Sequence, residues 1–277
     1  MCSRSVLRAL AVALAALGVH GTIAAQVPTA LSGNIHMRWG YPGGPCKPLI
    51  QPFFIICEDV PHRLPLWVGY HLGLSDLHGS AKRKDNFHAD VRLAAGARAE
   101  NADYAGSGYD KGHMAPAADF KRSDAAMSET FLLSNMAPQR PNLNRRIWER
   151  LENSVRQLAH DHGSIWIFTG PLYLNADGTK AMAPDSFIGH DRVAVPTHFF
   201  KVVLCENADG SYQMFAFILP NQTESFTHDA AYYLETVAKV ELLSGQSPQD
   251  RLDFFAELPD ARERPLEAAR AARWPVP

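Results

Sequence analysis

Three apolar runs in the second half of the chain most constrain its fold. Aromatic and β-branched residues dominate the ranges 165–168, 198–204 and 214–219, and turn-forming residues bound each range, which is typical of buried strands. Asn207-Ala-Asp-Gly210 separates the last two runs and predicts a hairpin turn. A similar run over 66–72 predicts an earlier strand. Because strands and helices do not alternate regularly, the sequence favours a mixed α+β fold over a doubly wound sheet.

The clearest helix is predicted to begin at Asn144. From there apolar residues recur at spacings of three and four, at Ile147, Trp148, Leu151, Val155 and Leu158. Asn142 or Asn144 is suited to cap its N-terminus. Two further helices are predicted, over 228–243 and over 265–273.

The first 25 residues have the composition of a cleavable targeting segment. Arg4 and Arg8 precede an apolar run over 9–19, which is too short to anchor the protein in a bilayer. We expect cleavage of this signal peptide, residues 1–25, and export of a protein without a membrane anchor to the periplasm or the medium. A mitochondrial presequence is the alternative, since the segment contains Arg and lacks acidic residues.

Composition divides the rest of the chain into three parts. Residues 26–60 are rich in Pro and Gly and predict an irregular N-terminal arm, residues 61–260 form the main domain, and residues 261–277 are an Ala- and Arg-rich tail.

Three cysteines follow the leader. Cys46 and Cys57 flank a short apolar stretch and are suited to close a small disulfide loop in an oxidising compartment. Cys205 ends an apolar run and predicts a buried free thiol, although pairing with Cys205 is left open by the sequence.

The overall charge excludes bulk electrostatic binding of nucleic acid. Lys and Arg total 27 and Asp and Glu total 29, for a formal charge of −2, whereas such a protein would normally be basic. A local patch can nevertheless bind a phosphate backbone without reading bases. Basic residues cluster near the motifs described next, at Lys82, Arg83, Lys84, Lys111, Lys121, Arg122, Arg140, Arg145 and Arg146.

The densest group of reactive side chains lies in the Gly- and Pro-rich segment 107–119, which predicts a loop. It places Asp110, Lys111 and His113 within four positions. His113 is the side chain there that can accept a proton near neutral pH, so it is the candidate general base. Asp110 is suited to orient the histidine or to anchor the segment, and Lys111 is suited to meet an anionic substrate.

A second motif spans residues 133–152. Asn144 lies at the predicted helix start and Glu152 lies eight residues further on. In α-helical geometry the two side chains are about 80° apart around the axis and about 12 Å apart along it, so they are poorly placed as joint ligands of one ion. Glu152 is better suited to hold a metal-bound water. Taken from the residues alone, Asn144 is more typical of a helix cap than of a ligand.

These motifs, in this order, resemble those of the DNA/RNA non-specific endonuclease family. The segment 110–116 (DKGHMAP) resembles the family's Asp-Arg-Gly-His signature, and 144–152 (NRRIWERLE) resembles its Asn-x-x-x-Trp-x-x-Leu-Glu motif. Further matches are 133–139 (LSNMAPQ), 169–173 (TGPLY), 195–201 (VPTHFFK) and 217–221 (FILPN). The resemblance extends roughly over 66–258, and we place the endonuclease domain at 61–260.

The resemblance implies a ββα-metal (His-Me finger) core packed on a larger antiparallel sheet. It implies hydrolysis of DNA or RNA phosphodiester bonds, with His113 as general base and Asn144 as the direct ligand of a Mg2+ ion, which Mn2+ could replace. Glu152 would hold the ion's waters, Asn135 would help to position the base and the substrate, and Arg83 would stabilise the charged phosphate. Members of the family are often dimeric, so a homodimer is implied as well.

One position departs from the family's pattern. Lys111 stands where the signature has arginine, and lysine keeps the charge but lacks the planar donor fork. We therefore expect an altered rate or affinity rather than a lost reaction. Lys111, Arg140 and Arg145 are expected to bind the substrate backbone, and Asp110 is expected to hold the metal ligand in place without binding the metal itself.

The sequence supports two other functions less well than nuclease activity. A catalytically weak or silent nucleic-acid-binding protein on the same fold is disfavoured because His113, Asn144 and Glu152 are all present. A zinc hydrolase that uses the many histidines is disfavoured because the sequence has no His-x-x-x-His or Cys-x-x-Cys pattern.

Overall fold

The computed structural model describes residues 28–245 and 251–258. The expected leader over 1–25 and the expected helix over 265–273 therefore lie outside the described residues. Within the described ranges, no helix has both the length and the apolar composition needed to cross a membrane.

The strands build one large sheet and two small ones. In chain order they are β1 (Lys47–Ile50), β2 (Ile55–Asp59), β3 (Leu64–Gly73), β4 (Asp110–His113), β5 (Met136–Gln139), β6 (Ser164–Leu172), β7 (Phe187–Ile188), β8 (Val193–Ala194), β9 (His198–Glu206), β10 (Tyr212–Pro220) and β11 (Leu234–Glu235). The large antiparallel sheet has the order β1-β2-β3-β6-β9-β10-β11, while β4 pairs with β5 and β7 with β8.

The helices are mostly short and lie between the strands. The α-helices are α1 (Leu74–Leu77), α2 (Asn101–Tyr104), α3 (Asp124–Glu129), α4 (Glu149–His162) and α5 (Val237–Ser244). Single 3-10 turns occupy Thr29–Leu31, Ile35–Met37, Ala117–Asp119, Leu133–Asn135 and Ala230–Tyr233, and a π-helical segment occupies Leu143–Trp148.

The sheet carries a hydrophobic core on each of its faces. Side chains alternate along a strand, so Ile165 and Ile167 of β6 join the core under α4, whereas Trp166 and Phe168 join the opposite core with α5. The four predicted strands are confirmed as β3, β6, β9 and β10, and the predicted hairpin joins β9 to β10. The expected α+β fold is therefore confirmed.

The prediction of an irregular arm over 26–60 is wrong from Lys47 onwards. β1 and β2 pair with each other and β2 pairs with β3, so this segment supplies one edge of the large sheet. Pro48 is tolerated because β1 is the edge strand, where a missing N–H leaves no pairing position unsatisfied. Its proline content hid the strand from the sequence pattern.

The predicted helix over 228–243 is divided in the structure. A 3-10 turn and the short strand β11 precede α5, because Leu234 pairs with Phe217 of β10. The helix then begins at Val237, where the Thr236 hydroxyl accepts a hydrogen bond from the Lys239 N–H at 3.1 Å. Tertiary pairing overrides local helix propensity here.

The central helix also differs from its prediction at the N-terminus. Its π-helical segment begins at Leu143, and neither asparagine acts as a cap. The Asn142 side chain donates to the Thr223 carbonyl, and the Asn144 side chain donates to Asp110. At the other end Gly163, in the left-handed conformation with φ +78°, terminates α4.

The disulfide joins Cys46 to Cys57, with their Cα atoms 5.3 Å apart. Cys205 is buried and free. The Cys46–Cys57 pairing and the buried free thiol are both confirmed, and the alternative pairing with Cys205 does not occur.

Candidate active site

The two-stranded β4–β5 hairpin and the central helix form a ββα unit on one face of the large sheet. In the hairpin His113 lies opposite Met136 and Gly112 lies opposite Ala137. The segment expected to be a loop therefore contains a short strand. Gly112 is required by packing, because a Cβ atom there would lie 2.2 Å from Oε1 of the buried Gln139 side chain.

His113 ends β4 in an apolar enclosure. Its side chain is only 7% exposed, and its ring centroid lies 5.1 Å from that of Phe131 and 5.6 Å from that of Phe87. Nε2 is buried without a hydrogen-bond partner among the described residues. Burial, assisted by the positive charge of Arg83, lowers the pKa of His113 to about 3. The imidazole is therefore neutral at physiological pH, and its Nε2 is not engaged by another described residue.

Asn135 is fully buried and fixes the backbone that follows His113. Its Oδ1 accepts from the Ala115 N–H at 2.9 Å, and its Nδ2 donates to the carbonyls of Ala115 and Thr130 at 2.9 and 2.8 Å. Both amide N–H groups are thus used on the main chain. Asn135 is placed to position the base through the backbone and does not reach the surface.

Asp110 at the start of β4 orients Asn144 on the helix. Its Oδ2 accepts from Asn144 Nδ2 at 2.9 Å and from Arg145 Nε at 2.7 Å. Burial alone would raise the pKa of Asp110, but the hydrogen bonds from Arg145 and Asn144 outweigh it and lower this pKa. Because its nitrogen is committed to Asp110, Asn144 keeps Oδ1 free of hydrogen bonds to the described residues.

The π-helical segment changes the angle between Asn144 and Glu152. A π turn bonds i to i+5 and inserts one extra residue into an α-helix. Two residues that are eight positions apart across this turn are therefore separated by the same angle around the axis as two residues seven positions apart in a regular α-helix. That angle is about 700°, which is within about 20° of two complete turns. The two side chains therefore share one helix face, and the angle of about 80° expected from an uninterrupted α-helix is corrected. The axial separation of about two turns still leaves only one of them adjacent to a given ion.

Glu152 is half-buried and makes no hydrogen bond to any described residue. The neighbouring Arg156 guanidinium donates instead to Asp119 Oδ1 at 2.7 Å, and the Tyr70 hydroxyl donates to Asp119 Oδ2 at 2.7 Å. Burial raises the pKa of Glu152, against the opposing positive charges of Lys201 and Arg156. Its carboxylate is available to a further ligand.

Arg83 lies close to His113. Its guanidinium carbon is 5.1 Å from the centroid of the same Phe131 ring that packs on His113. Its Nε donates to Asp85 Oδ1 at 2.7 Å, and both side chains are more than half exposed. The guanidinium is therefore accessible from solvent beside the base.

A cavity of about 480 Å³ brings five of the predicted residues together, namely Arg83, Asp110, Lys111, Asn144 and Arg145. Lys111 Nζ lies 4.8 Å from the Phe87 ring centroid and 5.8 Å from that of Tyr104. Arg140 stacks on Tyr109, with its guanidinium carbon 4.0 Å from the ring centroid. The fully buried Asn135 does not line this cavity.

Acidic side chains pair with several members of the expected basic patch. The pairs are Arg83–Asp85, Lys84–Asp124, Arg122–Asp76 and Arg145–Asp110. The sequence could not reveal the longer-range pairs, because their partners lie up to 46 positions away. The patch is therefore less strongly positive than its composition indicates.

A buried charged cluster next to Glu152 was not predicted from the sequence. It consists of Asp119, Arg156 and Lys201, and Lys201 is only 1% exposed. A signal was present, since Lys201 interrupts the apolar run of β9 at a position that faces the core under α4.

A buried neutral histidine on a short antiparallel strand pair, next to the helix that carries Asn144 and Glu152, is the arrangement of the ββα-metal fold. The sequence matches the family described as DNA/RNA non-specific endonuclease over residues 32–261. The chain belongs to this family, whose members are metal-dependent nucleases.

Individual relatives agree with this membership. The chain is 40% identical to endonuclease G, mitochondrial, of Bos taurus over 196 residues, covering 69% of this chain and 65% of that protein. It is 37% identical to nuclease EXOG, mitochondrial, of Danio rerio over 214 residues, covering 75% and 62%. A crystal structure of the EndoG/EndoGI complex superposes with a TM-score of 0.76 at 32% identity, covering 86% of this chain and 96% of that chain. The chain thus spans less than two thirds of the length of these two curated relatives.

The relatives' names contradict the expected periplasmic or secreted location. Both curated relatives are named as mitochondrial proteins. The physical reason for the error is that a short, Arg-containing, acid-free apolar leader fits an export signal and a mitochondrial presequence alike.

Proposed function

We propose that this protein is a Mg2+-dependent endonuclease that hydrolyses phosphodiester bonds of DNA or RNA without selecting the sugar. The observation that carries the proposal is the neutral, buried His113 on the same ββα unit as the free Oδ1 of Asn144. His113 takes the proton of the attacking water, a role that typically supplies about 10²–10⁴-fold in rate.

The donor set fits a largely hydrated hard cation. Asn144 Oδ1 and the Glu152 carboxylate are oxygen donors without hydrogen bonds to the described residues, and Mg2+ prefers oxygen ligands and retains several waters. Asn144 would bind the ion directly, and Glu152 would hold its waters from two turns further along the same helix face. When bound, Mg2+ would supply positive charge against the charge that develops on the phosphate and the leaving group. Mn2+ also takes oxygen ligands and could replace it.

Asp110 and Asn135 support these groups without touching the substrate. Asp110 fixes the Asn144 amide so that its oxygen is presented, and Asn135 fixes the backbone after His113. Outer-shell partners of this kind typically change metal affinity or activity by about 10–100-fold when they are removed.

The cationic side chains that line the cavity, together with Arg140 beside it, are assigned to the phosphate groups. Arg83 offers a guanidinium beside His113 that can donate to non-bridging oxygens. Lys111 supplies a point charge held over Phe87 and Tyr104. Arg140 and the exposed edge of Arg145 would contact the phosphate backbone of the substrate on either side of the cavity.

Supercoiled plasmid and a structured RNA provide the test of activity. We expect the native protein with Mg2+ to nick the plasmid and degrade both substrates, and we expect EDTA or His113→Ala to abolish cleavage. His190→Ala is the matched control, because the His190 side chain is 99% exposed. Cleavage by His113→Ala at the native rate would overturn the assignment of the base.

The same assay separates the alternative function. A catalytically silent binding protein would still bind the plasmid, as seen in an electrophoretic mobility shift, but would not cleave it with Mg2+ or with Mn2+. The homodimer implied by the family resemblance stays a prediction, which sedimentation of the purified protein checks.

A further inference from the structure

Lys201 is a buried ammonium group beside the candidate active site. It lies in β9 directly opposite Thr169 of β6, and its Nζ donates to Thr169 Oγ1 at 2.7 Å. The same Nζ lies 5.0 Å from the ring centroid of Trp148, which precedes α4. An ammonium group enclosed between a hydroxyl and an indole carries a large desolvation cost unless an anion is near.

The charges near Lys201 form two pairs, one joined by hydrogen bonds and one that is not. Asp119 is satisfied on both oxygens, by Tyr70 and by Arg156. Glu152 lies four residues after Trp148, one helical turn further along α4, and α4 packs against β9, which carries Lys201. The opposite charges of Glu152 and Lys201 therefore act on each other, yet Glu152 has no hydrogen bond to a described residue. Glu149 is the other acidic group whose charge acts on Glu152. Lys201 is therefore the cation that is left to balance Glu152.

We propose that Lys201 is a positioning residue of the nuclease site, acting as the buried counter-charge that holds Glu152 as a carboxylate with its oxygens free for metal-bound water. This inference rests on the proposed function of Glu152. It assigns a role to the lysine that ends the 195–201 motif. A direct ion pair would consume the carboxylate oxygens, whereas an ammonium held by Thr169 and Trp148 acts through its charge and leaves them open.

The geometry explains why a lysine occupies this position. Burial lowers the pKa of Lys201, and the negative charges of Glu152 and Asp119 oppose that effect. Burial in turn raises the pKa of Glu152, and the charge of Lys201 opposes it. Each group favours the ionised form of the other, so removing one leaves an uncompensated charge in a site of low polarity.

A double-mutant cycle of Lys201→Met and Glu152→Gln tests this coupling. In the first arm the unfolding midpoint is measured by calorimetry. Lys201→Met alone is expected to lower it by roughly 6–15 °C, and adding Glu152→Gln is expected to recover at least half of that loss. This arm does not depend on nuclease activity, so it tests the pairing even if the proposed function fails.

In the second arm plasmid cleavage is measured as kcat and as the half-saturating Mg2+ concentration. Lys201→Met is expected to lower kcat at least tenfold in the native background, and to change residual cleavage less than twofold in the Glu152→Gln background. Val203→Ala is the control for packing loss, since Val203 is buried on the same face of β9. It is expected to lower the midpoint without lowering kcat.

Additive effects of the two substitutions in both arms would overturn the proposal. A stability coupling without an activity coupling would also overturn it, because Lys201 would then be structural only. Complete inactivity of the native protein together with a clear stability coupling would instead refute the proposed function and retain the charge pair.

Discussion

Asp110 and Asn144, 34 positions apart in the sequence, are joined by a hydrogen bond of 2.9 Å from the Asn144 amide nitrogen to the Asp110 carboxylate. This contact ties the first residue of the β-hairpin to the helix that packs on it. It also decides which atom of the amide is presented to the cavity. Arg145, the next residue on the helix, pairs with the same carboxylate and keeps it charged.

Replacement of Asp110 by Asn is expected to weaken Mg2+ binding and activity together. The substituted amide can donate to Asn144 as readily as accept from it, so the Asn144 amide is free to reverse and withdraw its oxygen. We expect a loss of about 10–100-fold in the apparent affinity for Mg2+, measured by calorimetry and by the Mg2+ dependence of cleavage. Asp124→Asn, which breaks a surface pair with Lys84, is the control. Unchanged Mg2+ dependence in Asp110→Asn would exclude this orienting role.

The lowered pKa of His113 predicts an acid sensitivity of the fold. The imidazole is neutral in the native state down to about pH 3, whereas the unfolded chain takes up the proton near pH 6.5. Stability from this group is therefore fully present above pH 6.5 and is lost as the pH falls from 6.5 towards 3, because the unfolded state binds more protons. The slope is at most about 1.4 kcal/mol per pH unit.

Comparison with His113→Gln measures this effect. We expect the native protein to lose about 2 kcal/mol more than the variant between pH 6.5 and pH 5, by urea unfolding at each pH. His190→Gln should follow the native protein, since its side chain is exposed. Parallel pH profiles for native protein and His113→Gln would show that His113 titrates alike in both states.

The Cys46–Cys57 disulfide is expected to stabilise the edge of the large sheet. It closes a short loop, with a sequence separation of 11, and a loop of that length corresponds to about 3 kcal/mol of unfolding free energy. The double variant Cys46→Ser, Cys57→Ser should lose this amount in urea unfolding. Adding a reductant should destabilise the native protein and leave the double variant unchanged. An equal response of both proteins to the reductant would point to some other effect.

The strands and the motif residues could be predicted from the sequence because both are recognised by local patterns. Alternation and turn residues located β6, β9 and β10, and motif spacing located His113, Asn144 and Glu152. The angle between Asn144 and Glu152 around the helix axis could not be derived from the sequence. It depends on a π turn, and no residue between the two indicates that turn. The partners of Arg145 and Lys201 were hidden for another reason. They come from elements that are distant in the sequence, and only tertiary packing brings them together.

Lys111 stands at the signature position of the family and offers a gain-of-function test. Its ammonium is held over the rings of Phe87 and Tyr104 within the cavity that also contains Arg83. An arginine there keeps the stacking on the rings and adds a planar fork for two phosphate oxygens. We expect Lys111→Arg to raise kcat/KM on plasmid DNA by roughly 3–10-fold, since one added charge-assisted hydrogen bond is worth on the order of 1 kcal/mol net. Lys111→Met removes the charge and should lower kcat/KM by at least the same factor, with the unfolding midpoint little changed in either variant. A fall in kcat/KM for Lys111→Arg would mean that the cavity is shaped for the shorter ammonium, and that the lysine sets the substrate preference of this protein.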